Sequence, residues 1–176
     1  MIKEVHGPER PSPGDLRRPR RAVCTTGRMG GRMRGEIAAV CTSEKTGISK
    51  TPVECIELVA DYGVKGDAHG GGERQVSLLA EEAVAKVGAK HPGIGPGSYA
   101  ENLLLRGIDP ASLPLGARLK VGGNVLLEIT QIGKKCHSKC AIHQQVGSCI
   151  MPKMGVFARV LSGGTVRPGD AAHLLD

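Results

Sequence analysis

Glycine and proline interrupt this chain so often that it has little room for long helices or long strands. Its 176 residues include 26 Gly and 11 Pro, the residues that most often form turns. The apolar segments between them have the length of typical β-strands, roughly four to eight residues. The chain is long enough to bury one hydrophobic core. Because it has no Trp, one Phe and two Tyr, aliphatic side chains must fill that core. We therefore predict a mostly β, single-domain fold.

Short apolar segments mark the predicted strands, at residues 36–41, 53–59, 75–79, 102–105, 118–121, 125–130, 155–161 and 171–175. Residues 80–87 predict a short helix. Its first turn carries acidic side chains, which interact favourably with the helix dipole. Glycine dominates residues 62–72, which predict a loop, and a glycine pair before residue 125 predicts a hairpin. Many short strands with one or two helices are typical of a β-rich barrel or sandwich.

The positive charge of the chain is concentrated at its N-terminus. Residues 1–34 contain nine Lys/Arg and three Asp/Glu, a formal charge of +6, whereas residues 35–176 contain fifteen and fourteen, a charge of +1. Residues 1–34 also lack apolar periodicity, so we predict a disordered basic extension there and one folded domain at 35–176. A nearly neutral domain argues against a nucleic-acid partner.

Location follows from what the sequence lacks. No apolar run approaches roughly 18 residues, so no membrane span is expected. The N-terminal segment lacks the apolar stretch of a secretory signal, and the unevenly spaced cysteines do not suggest a disulfide framework. We expect a cytoplasmic protein with reduced thiols.

Cysteine and histidine are concentrated in one segment near the C-terminus. Three of the six Cys and two of the six His lie there, at Cys136, His137, Cys140, His143 and Cys149. A reactive thiol is one interpretation, since a thiolate needs nearby positive charge to form at neutral pH. Lys134, Lys135 and Lys139 provide such charge, and they could also attract an anionic ligand. The alternative is that these lysines belong to a solvated loop.

Two other interpretations of this segment stay open. The spacing C-x3-C-x2-H-x5-C from Cys136 to Cys149 could form a Cys3His zinc site, although it departs from the usual zinc-knuckle order and includes no aromatic side chain to stack on a base. The interpretation as a redox disulfide between Cys136 and Cys140 is weakened by C-x3-C spacing in place of C-x-x-C.

The other cysteines of the folded domain are expected to be structural. Cys149 is expected to be buried. Cys41 and Cys55 lie in strand patterns, where cysteine behaves as a small apolar residue.

The glycine-rich loop is a second candidate site. Its glycines would let backbone amides approach an anion, and Lys65, His69 and Arg74 could add positive charge. The loop is not a P-loop, because the terminal GK[ST] is absent. For Asp67 alone, a tight turn in which its carboxylate accepts backbone hydrogen bonds is the simpler interpretation.

Several of these segments, taken in order, resemble a known family. GVKGDAH, RQVSLLAEEAV, YAENLLLRGID, LPLGARLKVGG and GVFARVLSGGTVRPGD are similar to the MOSC domain, the C-terminal domain of molybdenum-cofactor sulfurases, which also occurs alone in small bacterial proteins. The resemblance extends over residues 35–176. It implies a β-barrel-like fold with a few short helices and a cleft that holds one functional cysteine.

The resemblance also implies candidate site residues. The family cysteine follows a long strand, usually after Pro; here the position corresponds to Cys136, preceded by Lys135, which leaves Cys140 as the alternative catalytic thiol. Asp67 and His69 match the family's G-D-x-H motif. Glu101 and Asn102 also match the family pattern. On account of their charge, and not of the resemblance, the other residues expected to contact the cofactor are Lys65, Arg74, Lys134, Lys135 and His137. Asn102 would either orient a pterin or satisfy a buried backbone group.

The function that the resemblance implies is binding of molybdenum cofactor, or transport of sulfur for it as a persulfide. Cys136 would accept the sulfur or bind the molybdenum. No pyridoxal-phosphate domain fits in this chain, so a separate cysteine desulfurase would donate sulfur, and molybdoenzymes are candidate acceptors. Two alternatives remain: a zinc-stabilised binding module with a basic tail, and a molybdenum-dependent reductase of N-hydroxylated substrates.

Overall fold

A computed structural model describes residues 33–135, 143, 147 and 149–175. Its strands are β1 Arg34–Thr42, β2 Thr51–Val53, β3 Ile56–Val59, β4 Gly63–Val64, β5 Val76–Ala80, β6 Leu103–Arg106, β7 Arg118–Val121, β8 Val125–Ile132, β9 Val156–Ser162, β10 Gly164–Val166 and β11 Ala171–Leu175. Helices α1 and α2 span Glu81–Gly88 and Met151–Met154, and a 3-10 turn spans Pro110–Ser112. The predicted extension lies almost entirely outside the described residues, so the domain boundary stays a prediction.

Seven of the described strands close into a barrel. Their order is β11, β7, β8, β9, β5, β6 and β1, and β1 pairs again with β11. The pair β5–β6 is parallel, and the other barrel pairs are antiparallel. Strand β2 extends the sheet beside β1, and β10, β3 and β4 form a second small sheet. The prediction of a mostly β, barrel-like domain is confirmed.

Alternation of side chains fills the barrel. In β7, Leu119 and Val121 are buried while Arg118 and Lys120 are exposed, the pattern expected when one sheet face meets the core. The interior cluster is aliphatic and takes residues from every barrel strand, among them Ile37, Leu78 and Leu127. This agrees with a sequence that has almost no aromatic residues.

A second apolar cluster lies outside the barrel wall. It includes Leu79, Leu104 and Phe157 from the strands, Val84 from α1 and Met151 from α2. Strand β5 is therefore buried on both faces, which explains why its residues show no polar alternation. This covered face of the barrel positions the candidate site.

Three local predictions were wrong, those for residues 53–59, Cys55 and Cys149. Residues 53–59 do not form one strand: the chain bends at Glu54 and Cys55, both exposed, and β2 pairs with β1 whereas β3 pairs with β10. Cys55 is consequently not a buried apolar residue. Cys149 is half-buried, not buried. Within the described residues, no helix has the length and apolar character needed to cross a membrane.

Candidate functional site

A row of residues on the covered face connects the main elements of the site. Gln131 pairs with Phe157, and Phe157 pairs with Ser77. The amide of Asn102 donates to the carbonyl oxygen of Ser77 at 2.9 Å, and the amide of Cys41 donates to that of Asn102 at 2.8 Å. Since adjacent strands lie about 4.8 Å apart, Asn102 lies about 10 Å from Phe157 along this row.

Asn102 is the centre of a buried hydrogen-bond network. Its Oδ1 accepts from the amide and hydroxyl of Ser77, at 3.1 and 2.9 Å. Its Nδ2 donates to the carbonyl of Cys41 and to Oδ2 of Asp67, both at 3.1 Å. Asn102 thus satisfies the backbone groups of two strands, one of the two roles expected from the sequence, and it also orients a carboxylate. Its other expected role, orientation of a pterin, stays a prediction.

Asp67 lies at the other end of this network with a fully buried side chain. Its carboxylate accepts from the amides of Ser43 and His69, at 3.1 and 3.0 Å, which agrees with the simple turn interpretation. It also pairs with Lys50 Nζ. Burial alone would raise the pKa of Asp67, but hydrogen bonds from His69 and Lys50 outweigh burial and hold the pKa well below its usual range.

Lys50 and His69 complete the charged part of the network. The Lys50 side chain is 1% exposed, so its ammonium group depends on protein partners in place of water. Nδ1 of His69 lies 3.2 Å from Oδ1 of Asp67 and 3.4 Å from Nζ of Lys50. Because the His69 side chain is 34% exposed, this histidine connects a buried ion pair with the protein surface.

Glu101 fixes the loop that covers the network. Its carboxylate accepts from the amides of Gly97 and Tyr99, at 2.6 and 3.0 Å, and Gly97 in turn accepts from the amide of Lys50 at 2.9 Å. Gly97 has a φ of +82°, and a side chain there would collide with the carbonyl of Lys50. Burial raises the pKa of Glu101 to about 7, against the lowering effect of these hydrogen bonds and of Lys50.

The thiol of Cys41 and the hydroxyl of Tyr99 are two further polar groups near Glu101. Burial, and next the charge of Glu101, raise the pKa of the Cys41 thiol to about 12, so Cys41 is an inert core residue, as its strand pattern predicted. The hydroxyl of Tyr99 is buried and has no hydrogen-bond partner among the described residues.

A cationic cavity lies at the opposite end of the row. It has a volume of about 470 Å³ and is lined by Arg74, Gln131, Ile132, Gly133, Lys134, Lys135 and Pro152. Three of the residues expected to contact an anionic cofactor, Arg74, Lys134 and Lys135, are therefore brought together. The guanidinium carbon of Arg74 lies over the Phe157 ring, 5.2 Å from its centre, and the Nε of Arg74 donates to Oε1 of Gln131 at 3.0 Å.

The other predicted residues are distributed as follows. Lys65 is exposed, pairs with Glu57 at 2.8 Å and does not line this cavity. Cys136, His137 and Cys140 lie outside the described residues. The described parts of the chain contain no group of three or more His, Cys, Asp or Glu that could hold a metal ion; this does not test the zinc interpretation, because two of its four ligands are not described.

Sequence reasoning missed two residues of the site. Lys50 lies in a polar loop without periodicity, 17 positions before Asp67, and nothing in its sequence neighbourhood distinguishes it from a solvated lysine. Gln131 lies at the end of a strand where a polar residue is unremarkable. For Gln131, its position just before the Lys134–Lys135 pair was the available signal.

The fold and site define a closed β-barrel with a buried Lys–Asp–Asn network and a cationic cavity on one face. The sequence model of the MOSC domain matches residues 65–173, well over half of the chain. The chain belongs to the MOSC domain family, a molybdenum-cofactor-related family. Comparison with curated proteins finds no significant match.

Solved structures share this fold at low sequence identity. YuaD from Bacillus subtilis has a TM-score of 0.68 and 19% identity, with 82% of this chain and 98% of that chain covered. YiiM from Geobacillus stearothermophilus has a TM-score of 0.62 and 24% identity, with 81% and 75% covered. YiiM from Escherichia coli has a TM-score of 0.59 and 18% identity, with 82% and 70% covered. At these identities the likeness supports the fold alone.

Proposed function

We propose that this protein binds molybdenum cofactor, with the phosphate of the cofactor in the cationic cavity and Cys136 as the functional thiol. One observation supports this most: Arg74 and the Lys134–Lys135 pair are 60 positions apart in sequence yet line the same cavity. Lys135 directly precedes Cys136 in the chain. A phosphate bound in this cavity would therefore contact the residue that directly precedes the family cysteine position.

The cavity fits a phosphorylated ligand in size and in charge. Its volume of about 470 Å³ lies within the usual range for small-molecule sites, roughly 300–1,000 Å³. Its three cations can form charge-assisted hydrogen bonds with phosphate oxygens. As far as the structure describes the lining, none of it is acidic, so no carboxylate competes for these cations.

The chain's own residues would bind and orient the cofactor. When bound, the cofactor supplies a redox-active molybdenum centre. The guanidinium of Arg74 lies over the Phe157 ring and its Nε donates to Gln131, which leaves its two terminal amino groups for the phosphate. Positive charge from Lys134 and Lys135 favours the thiolate form of a neighbouring cysteine, and this form is needed both for metal binding and for sulfur transfer.

Sulfur transport is the finer form of this proposal. The Cys136 thiolate would attack the terminal sulfur of a donor persulfide; the donor S–S bond breaks, a new S–S bond forms on Cys136, and the donor leaves as a thiolate. A cysteine desulfurase is the donor class that supplies such a persulfide, and molybdoenzymes are the acceptor class. The role needs a reduced thiol, which agrees with the cytoplasm as the location.

Reconstitution with released cofactor tests the binding proposal. Purified protein is mixed with molybdenum cofactor released from a molybdoenzyme, and the pterin retained after gel filtration is measured by fluorescence after oxidation. We expect retention by the wild type and by Lys120→Ala, an exposed lysine of β7, and at least about tenfold weaker binding for Arg74→Ala or for Lys134→Ala with Lys135→Ala. Equal retention by all variants would contradict the assignment of the cavity.

Intact-protein mass after incubation with cysteine and a desulfurase tests sulfur transport. A reducible adduct of one sulfur atom on the wild type, absent from Cys136→Ala, would support a persulfide carrier at this residue. An adduct that survives in Cys136→Ala but is absent from Cys140→Ala would assign the role to Cys140. Stoichiometric zinc held by these cysteines in the same sample would instead favour the zinc-stabilised module.

A further inference from the structure

We infer that Gln131 is a positioning residue that holds Arg74 and the Lys134–Lys135 turn in the relative arrangement needed to bind one phosphorylated ligand. The inference rests on the proposed function and deepens it. It assigns to Gln131, a neutral side chain, a role that the sequence did not indicate. Gln131 lies between cationic groups of two different loops, one before β5 and one after β8.

An irregularity in strand β8 directs Gln131 towards Arg74. Ile129 pairs with Ala158 and Gln131 pairs with Phe157, so Thr130 is an extra residue between two consecutive partners on β9. Ala158 faces the barrel interior and Phe157 faces the covered outer side. Without the extra residue, Gln131 would be opposite Val156, whose side chain belongs to the interior cluster, because a one-residue shift moves a side chain to the other face.

Both ends of the Gln131 amide are used. Its Oε1 accepts from Nε of Arg74 at 3.0 Å, and its Nε2 donates to the carbonyl oxygen of Gly133 at 2.6 Å. Gly133 is held in turn by its own amide, which donates to the carbonyl of Gly155 at 2.6 Å. A single side chain thus joins the guanidinium to the turn that immediately precedes Lys134.

The position of Gln131 matters because Arg74 is otherwise exposed. An exposed arginine samples many rotamers and loses that freedom when it binds a ligand. The Phe157 ring under the guanidinium and the Gln131 acceptor on its Nε together restrict the rotamers of Arg74. Gln131 also links Arg74 to the turn before the lysines. Loss of one hydrogen bond to a charged group should weaken phosphate binding by about tenfold.

A double-mutant cycle tests the inference, with inorganic pyrophosphate as the probe and affinity measured by calorimetry. We expect Gln131→Met to weaken binding about tenfold in the wild-type background and much less in the Arg74→Ala background, where only its contact with the Gly133 turn remains to be lost. The same weakening in both backgrounds, or none in the wild type, would overturn the inference. The denaturation midpoint of each variant separates these effects from misfolding.

The NMR signal of the Arg74 Nε–H group gives a second and more specific measurement. We expect this signal to be protected from exchange in the wild type, lost in Gln131→Met, and retained in Gln131→Glu, which keeps an acceptor but places a negative charge beside the cavity. Pyrophosphate should bind Gln131→Glu more weakly than it binds Gln131→Met. Retention of the signal in Gln131→Met would overturn the assigned role.

These results are distinguishable from failure of the proposed function. If the cavity binds pyrophosphate with the expected coupling but does not retain molybdenum cofactor, then the positioning role stands and the identity of the cofactor is wrong. If the cofactor is retained and the coupling is absent, then the function stands and Gln131 has no positioning role.

Discussion

The buried ion pair between Lys50 and Asp67 gives the sharpest quantitative prediction. Both side chains are at most 1% exposed, and neither charge has water as an alternative partner. Lys50→Met keeps the apolar length of the side chain and removes its charge. The variant therefore leaves the Asp67 carboxylate in a site where burial alone disfavours the ionised form.

The expected loss follows from the remaining partners of Asp67. Removal of one partner of a buried pair typically costs about 3–5 kcal/mol. In the variant, Asp67 still accepts from Asn102 and from the amides of Ser43 and His69, so we expect the lower end, about 3 kcal/mol. A loss of this size is a large fraction of the roughly 5–15 kcal/mol that a domain has in total.

Urea denaturation at pH 7 measures this loss, with Lys65→Met as the matched control. Lys65 also pairs with a carboxylate, that of Glu57, but both side chains are more than half exposed, and we expect no measurable change. The double variant Lys50→Met with Asp67→Asn should be more stable than Lys50→Met alone, because it no longer contains an unpaired buried charge.

The pH dependence has a definite sign. In the wild type the pKa of Asp67 is lowered from 3.8, so its ionised form stabilises the fold above that value, and this stability is lost as the pH falls through the folded pKa. In Lys50→Met the pKa of Asp67 should rise. The stability deficit, meaning the difference in the free energy of unfolding between the wild type and Lys50→Met, should shrink once Asp67 is protonated. A deficit below about 1 kcal/mol at pH 7, or a double variant less stable than Lys50→Met, would refute this reasoning.

Two further predictions concern Glu101 and Gly133. Burial raises the pKa of Glu101 from 4.5 to about 7. Between pH 4.5 and about pH 7 the folded state therefore retains a proton that the unfolded chain has lost. The free energy of unfolding should fall by up to about 3 kcal/mol as the pH rises through this range. Glu101→Gln should remove this slope from a series of urea midpoints, and an unchanged slope would argue against the burial effect. Gly133→Ala should destabilise more than Gly116→Ala in the same assay. Both glycines have positive φ, which costs about 1–2 kcal/mol for alanine, but only at Gly133 would the new Cβ meet a carbonyl oxygen, that of Pro152 at 2.5 Å. Equal losses would show that the turn at Gly133 adapts.

Local pattern was sufficient for most of the secondary structure. The predicted strands at 118–121 and 171–175 have the bounds of β7 and β11, because both are short and a glycine turn adjoins each, at Gly122 after β7 and at Gly169 before β11. The predicted helix at 80–87 is displaced by one residue from α1. The segment 53–59 was read as one strand because its apolar residues are continuous. Its division depends on which strand each half pairs with, and that is not a local property.

The candidate site was predicted only in part, since its parts are distant in sequence. Asp67 and Asn102 were found through a family motif, but the hydrogen bond between them joins residues 35 positions apart. Arg74 and Lys134 were assigned to separate loops, and they reach one cavity because β5, which follows Arg74, and β8, which precedes Lys134, both pair with β9. Lys50 was not predicted at all, because a lysine in a polar loop has the same local pattern whether it is solvated or buried.

The sequence alone determined that this chain forms a mostly β domain of the MOSC family, because strand periodicity and glycine turns are local properties and the motifs occur in a fixed order. The tertiary structure alone decided which charges are buried and which are exposed. Lys50 and Lys65 both pair with carboxylates, yet one pair is inside the protein and the other is in solvent. Burial depends on the closure of the barrel and on the loop that Glu101 fixes over the network. Closure is set by contacts between strands that are far apart in the chain.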